Sequence, residues 1–312
     1  MSIIDSVSSL FHSGGNPVFV SDSNYALEKF KAEGFVVIPS TNFFSNKNLY
    51  TEVVLAFTNP KNCPPSEIFK SSLENSAVLI IPFMSFNGDS MSVDYFLNQL
   101  KYIDFEKATS KSNQTLDLLG SVEGILKIIS NTKIVELKLG TDLKIFAPKL
   151  NCKINYGEWI SISQFLEVAL IPNENYDCFN LNGTFSCDGV AVAFHTKSYK
   201  KTLAKASNAW SLFSKVRKSG GFPLILEIKN SEVLEIKDAF GNSLIDEVKL
   251  LTDSELNGYL IEIGFASLEP NAELDWSVNS QLNEAAGGIH LALGMGIEGA
   301  HVDFISSFAT VS

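Results

Sequence analysis

Gly287-Gly288-Ile289-His290-Leu291-Ala292-Leu293-Gly294, followed closely by Ala300-His301-Val302-Asp303-Phe304, is the stretch on which the reading of this chain turns. The chain has 4 histidines, and two of them are here. His301 and Asp303 stand two apart in an apolar run. In a strand, residues i and i+2 point to one face, so imidazole and carboxylate would project together. Neutral imidazole with carboxylate suits zinc, iron or manganese. The same pair also fits a plain hydrogen-bonded His–Asp contact without a metal.

Working outward, composition narrows the field. The 312 residues are 45% hydrophobic and 19% charged, a globular balance with room for one large or two ordinary domains. A net charge of −11 argues against nucleic acid as a partner. Arg217 is the sole arginine, which rules out an arginine cluster gripping phosphate. No run of about 18 apolar residues predicts a membrane span. The opening Met1-Ser2-Ile3-Ile4-Asp5-Ser6 lacks the basic and apolar regions of a signal peptide, so a cytoplasmic protein is expected. Cys63, Cys152, Cys178 and Cys187 form no CxxC pair and are expected to be reduced, structural thiols.

The first half alternates strand and helix patterns. Val18–Val20, Phe35–Ile38, Tyr50–Phe57 and Ala77–Phe83 read as buried strands. Helical spacing falls at Tyr25–Lys31, Ser66–Leu73 and Val93–Tyr102, with a polar loop expected over 104–113 and a helix over Thr115–Ser130. Such alternation predicts a parallel or mixed α/β sheet. Neither GxGxxG nor GxxxxGK[ST] occurs, so neither glycine-rich nucleotide loop is supported.

From about residue 131 the chain is richer in strands. Lys133–Leu139 alternates with period 2, and Leu224–Ile228 with Glu232–Ile236 flanks a turn at Asn230-Ser231. Asn182-Gly183 and Asp188-Gly189 carry turn chemistry. A helix is expected over Thr202–Val216. The fold class expected is α/β, with an N-terminal α/β domain over 1–130. A strand-rich α+β domain that carries the metal site follows over 131–312.

Two carboxylates sit where a core is expected. Glu167 lies in Phe165-Leu166-Glu167-Val168-Ala169-Leu170-Ile171, and Glu262 in Tyr259-Leu260-Ile261-Glu262-Ile263-Gly264-Phe265. A buried carboxylate is costly unless it is paired or bound to metal. On an edge strand a lone Glu is ordinary. With His290, His301 and Asp303 the two make the inventory of a one- or two-metal site.

From about Leu139 to the C-terminus the chain resembles the thermophilic metallopeptidase (aminopeptidase T-like) superfamily, which also includes 2,5-dihydroxypyridine dioxygenase. The matching pieces come in family order. They are Gly140-Thr141-Asp142-Leu143, Glu167 to Pro172, Glu262-Ile263-Gly264, Asn283-Glu284, Gly288 to Gly294 and Ala300 to Asp303. The resemblance implies Glu167, Glu262, His290, His301 and Asp303 as ligands of zinc, cobalt or manganese in a dinuclear peptidase. In the dioxygenase branch, one iron(II) would be held by Glu262, His301 and Asp303. Two departures stand out. Ten residues separate His290 from His301 where the peptidases have a long loop, and no tyrosine follows Tyr259 where they carry one.

Three functions are therefore expected in turn. The first is a metal-dependent hydrolase of a peptide-like or amide bond, with Glu158 or Glu284 as general base. The second is a mononuclear non-haem iron oxygenase acting on a small aromatic or heterocyclic compound. The third is a binding or scaffold member without catalysis. The expected partner is a small-molecule or peptide substrate, and the resemblance implies a homodimer.

Overall fold

The computed structural model describes residues 2–45, 50–140, 144–146, 152–171, 178–256, 258–268 and 274–312. The first strands are β1 (Val18–Ser21), β2 (Val36–Pro39), β3 (Glu52–Ala56) and β4 (Ala77–Ile80). Next come β5 (Ile125–Ser130), β6 (Lys133–Leu139), β7 (Lys144–Phe146), β8 (Trp159–Ser161), β9 (Glu167–Ile171), β10 (Phe179–Cys187) and β11 (Gly189–Ala193). The last are β12 (Leu224–Lys229), β13 (Glu232–Lys237), β14 (Leu260–Ala266), β15 (Ile289–Leu293), β16 (His301–Ser306) and β17 (Thr310–Val311).

These strands form three sheets, and the fold is α/β as the alternation predicts. A parallel sheet runs β2-β1-β3-β4-β8. Strands β1, β3 and β4 are buried nearly throughout because both faces are covered. Phe19, Val54, Leu79 and Ile160 pack on one side, and Val18, Val20, Val53, Leu55 and Val78 on the other. The helix Asn24–Ala32, capped by Ser23, buries Ala26, Leu27 and Phe30 against this sheet, with Phe30 stacked on Phe19.

Two antiparallel sheets follow, β13-β12-β10-β6-β5-β17 and β11-β16-β15-β14-β9-β7. One core joins them, with Val135, Leu137, Phe185 and Leu226 from the first meeting Val168, Ile263, Leu291, Val302 and Phe304 from the second. The hairpin of β5 and β6 spans position 130, and β8 returns to the parallel sheet after it.

Several local expectations change. Residues 104–113 are not a loop, because the helix Phe105–Ser121 begins there, with Asp104 accepting from Lys107 N at 3.0 Å. Its buried side includes Ala108, Thr109 and Ser112, too small and polar to read as an apolar stripe. Ile125–Ser130 then pairs as a strand rather than extending a helix. Asn182-Gly183 is no turn either. Gly183 lies inside β10, where a Cβ would come 2.3 Å from the Ile134 carbonyl oxygen, so glycine serves a close strand approach. Asn230 and Ser231 do form the expected turn, both left-handed. Thr141, Asp142, Leu143 and Pro172 lie outside the described residues. Among the described residues no helix is long and apolar enough to cross a membrane.

Candidate metal centre

Cross-strand register assembles the site. Asp303 stands opposite both Ala191 and Ala292, and Ala292 is opposite Glu262. His301 is opposite Ala193, His290 is opposite Gly264, and Glu167 is opposite Ala266. One face of this sheet is thus paved with Ala and Gly, and large polar side chains rise from it. The alternate residues, Val168, Ile263, Leu291, Val302 and Phe304, are the core. A register irregularity between Leu260 and Glu262 accommodates Ile261 as an extra residue, which puts Glu262 on the polar face.

The five expected ligands converge, and Glu284 joins them. Glu262 is the pivot. Its Oε1 lies 3.6 Å from His290 Nε2 and its Oε2 lies 3.7 Å from His301 Nε2. Glu284 Oε1 is 4.0 Å from His290 Nε2, and Glu167, Glu284 and His290 offer ligand atoms all within 4.8 Å of one another. His301 Nε2 is 2.9 Å from Asp303 Oδ1. The His301 Nδ1–H donates to the Gly294 carbonyl at 2.6 Å, which turns Nε2 toward the carboxylates.

Charge crowding shows in the acidities. Burial first, then Glu262 and Asp303 against the pull of His290, push the Glu167 carboxyl up to about 7. Burial, reinforced by Asp303, Glu167 and Glu262, holds Glu284 well above the carboxylate range. For His301 burial works downward, but Asp303 and Glu262 outweigh it and raise the imidazole to about 10. Burial likewise opposes, and Glu262, Asp303 and Glu167 overcome it, at His290.

The cluster fits a divalent metal. Glu167 Oε2, both ring nitrogens of His290 and Asp303 Oδ2 are buried without a hydrogen-bond partner among the described residues. Buried polar atoms are seldom left so. Ligands about 2.1 Å from a tetrahedral ion stand roughly 3.4 Å apart, near the Glu262–histidine separations. Oxygen and imidazole donors suit zinc, manganese, cobalt or iron(II).

A cleft of about 390 Å³ opens over this cluster. Glu167, Glu262 and His301 line it from the antiparallel sheet, Glu284 from the short helix Gln281–Ala285, and Pro82, Ser85, Ser161 and Ser163 from the carboxyl ends of β4 and β8 and just beyond them. Ligands of α/β sheets favour that end of the strands.

The structure does not bring Glu158 there. It precedes β8 at the strand's other end and accepts from Asn155 N at 2.8 Å. Two residues escaped the sequence reading. His195 lines the cleft, its Nδ1 accepting from Lys197 N at 3.3 Å. Ala191, Ala193 and His195 at alternate positions were its signal, visible only once β11 is paired with β16. Asp253 accepts from the backbone N–H groups of Met295, Gly296, Glu298 and Gly299. It thereby ties down the short connection between β15 and β16.

The sequence model of the family described as crocagin biosynthetic protein CgnE/B matches residues 14–312. The chain belongs to this family. No curated protein matches it. Among solved structures it is similar to wild-type AmpT from Thermus thermophilus, with TM-score 0.51 and 12% identity over 99% of this chain and 94% of that one. It is also similar to 2,5-dihydroxypyridine dioxygenase from Pseudomonas putida KT2440, with TM-score 0.49 and 12% identity over 99% and 91% of the two chains. At such identity the likeness to AmpT is one of fold. It reaches across the whole chain, including the first half that the sequence motifs left unmatched.

Proposed function

We propose that this member of the family is a metal-dependent hydrolase of an amide or peptide-like bond, working in a biosynthetic route of the crocagin kind. The carrying observation is the convergence of Glu167, Glu262, Glu284, His290, His301 and Asp303, with orphaned buried atoms, at one wall of an open cleft. Glu167, Glu262, His290, His301 and Asp303 would hold the metal, with Glu262 directing one oxygen toward each histidine. A divalent ion there supplies a water acidified toward neutral pH and polarises a carbonyl oxygen.

The chain's own groups do the rest. Burial makes the Glu284 carboxylate a stronger base than usual, and it faces the cleft. That suits a group which accepts a proton from water and returns it to the leaving nitrogen. Gly294 fixes the His301 tautomer through its carbonyl. His195 presents a ring whose Nδ1 is engaged, which leaves the Nε2–H as its donor toward a substrate oxygen. The homodimer belongs to the same proposal and is read by light scattering.

The test is turnover of an aminoacyl-p-nitroanilide and acetylated-peptide panel by protein loaded with zinc, cobalt, manganese or iron(II). Cleavage that requires metal and is lost in Glu284→Gln is expected. Metal-bound protein inert toward the whole panel counts against hydrolysis. Oxygen uptake by the ferrous form with phenols or pyridines would favour the iron oxygenase reading instead.

A further inference from the structure

Beside the metal cleft lies a second cavity of about 160 Å³, and the two share Phe86 and Phe194 in their walls. The shared wall is held in place, because Phe194 N donates to the Ser85 carbonyl at 3.0 Å. This ties edge strand β11 to the segment after β4. The other walls include Val192 and, from the helix Tyr199–Lys218, Leu203, Ala206 and Trp210.

Among the described residues no ionisable side chain lines this cavity, whereas the cleft beside it is crowded with them. Its Asn279 is already spent, the side-chain amide pairing with Val192 N at 2.8 Å and Val192 O at 2.7 Å. A charged group entering would lose water and gain no partner. An apolar cavity of about 150 Å³ takes benzene in another protein. The volume here is of that size, and most of the lining is apolar, with Asn87, Ser207 and Ser211 as polar wall residues beside Asn279.

We propose that this cavity is the specificity pocket of the metal cleft and takes an aromatic ring of the substrate, beside the bond presented to the Glu–His cluster. The assignment rests on the hydrolase reading for its chemistry, though not for the pocket itself.

Two chelating probes test it on zinc-loaded protein by calorimetry, L-phenylalanine hydroxamate and L-alanine hydroxamate. The phenyl compound is expected to bind about tenfold tighter or more, as burial of one ring implies. Ser207→Trp, at an exposed position on the pocket's helix, is expected to fill the space. It should erase the preference while leaving zinc content and alanine hydroxamate affinity unchanged. Leu203→Glu, also at an exposed position, should weaken the preference without threatening the fold. Equal affinities in the unaltered protein, or a preference untouched by both substitutions, would overturn the assignment. A second measurement needs no metal. Benzene added to chelator-treated protein is expected to shift the Trp210 indole N–H resonance, and not in Ser207→Trp. That shift in a protein unable to hold zinc would support the pocket while sinking the hydrolase reading. Absence of the shift would count against the pocket.

Discussion

His290 lies against its cross-strand partner Gly264 so closely that a Cβ on Gly264 would come 1.8 Å from His290 Cε1. The glycine is the floor on which the imidazole rests, so strand packing and ligand placement are one requirement.

Gly264→Ala is therefore expected to displace the His290 ring. Overpacking of this kind costs about 1–3 kcal/mol. Thermal unfolding and zinc content, measured together, should both fall. A variant with unchanged zinc content would show that His290 is not held by this contact.

Asp253 should prove as important as any ligand, although it touches none. Asp253→Ala leaves four backbone N–H groups without their acceptor. The cost is expected to be on the order of 3 kcal/mol, since bonds to a charged acceptor are the stronger kind. The same connection supplies Gly294 O to His301 and Gly296 O to His195 N. Amide hydrogen exchange at 295–299 should accelerate, and protection unchanged from the parent would contradict this role.

Metal-free protein should lose stability as pH rises. The Glu167 carboxyl, ordinarily 4.5, is raised to about 7 in the fold. Its contribution is full below about pH 4.5 and is lost as pH passes 7. The His301 contribution is full below 6.5 and is lost as pH passes about 10. Both slopes run the same way, because protons stand in for the missing cation. The Tm of chelator-treated protein should fall between pH 6 and 9.5, and zinc should stabilise more at the upper end. A Tm that rises over that range would contradict the crowded-site account.

Glu158→Gln and Glu284→Gln separate the two carboxylates that the sequence offered as base. Glu158 sits at the far end of β8, so its variant should keep parental zinc content and lose less than about 1 kcal/mol. Glu284→Gln should change zinc affinity or turnover. Equal behaviour of the two would remove Glu284 from the centre.

Much of this cluster was legible, on different grounds. Glu167 and Glu262 stood out because carboxylates in apolar strands are costly unless used, His301 and Asp303 by their spacing of two, and His290 through the family resemblance. A parallel or mixed sheet was legible because strand and helix patterns alternate along the first half. The start of the helix Phe105–Ser121 was not, since small polar residues occupy much of its buried side. Gly183 misled because the residue that makes a turn also permits close strand contact. His195 and Asp253 act through register and backbone carbonyls, neither of which a linear pattern displays.

Metal analysis of protein purified without metal affinity steps tests the central claim most directly, with His301→Ala beside it. At least one divalent ion per chain is expected in the parent, with a higher Tm than after chelation and metal lost in His301→Ala. A parent chain that holds no more metal than His301→Ala, and gains no stability from added zinc, cobalt, manganese or iron(II), would contradict the claim.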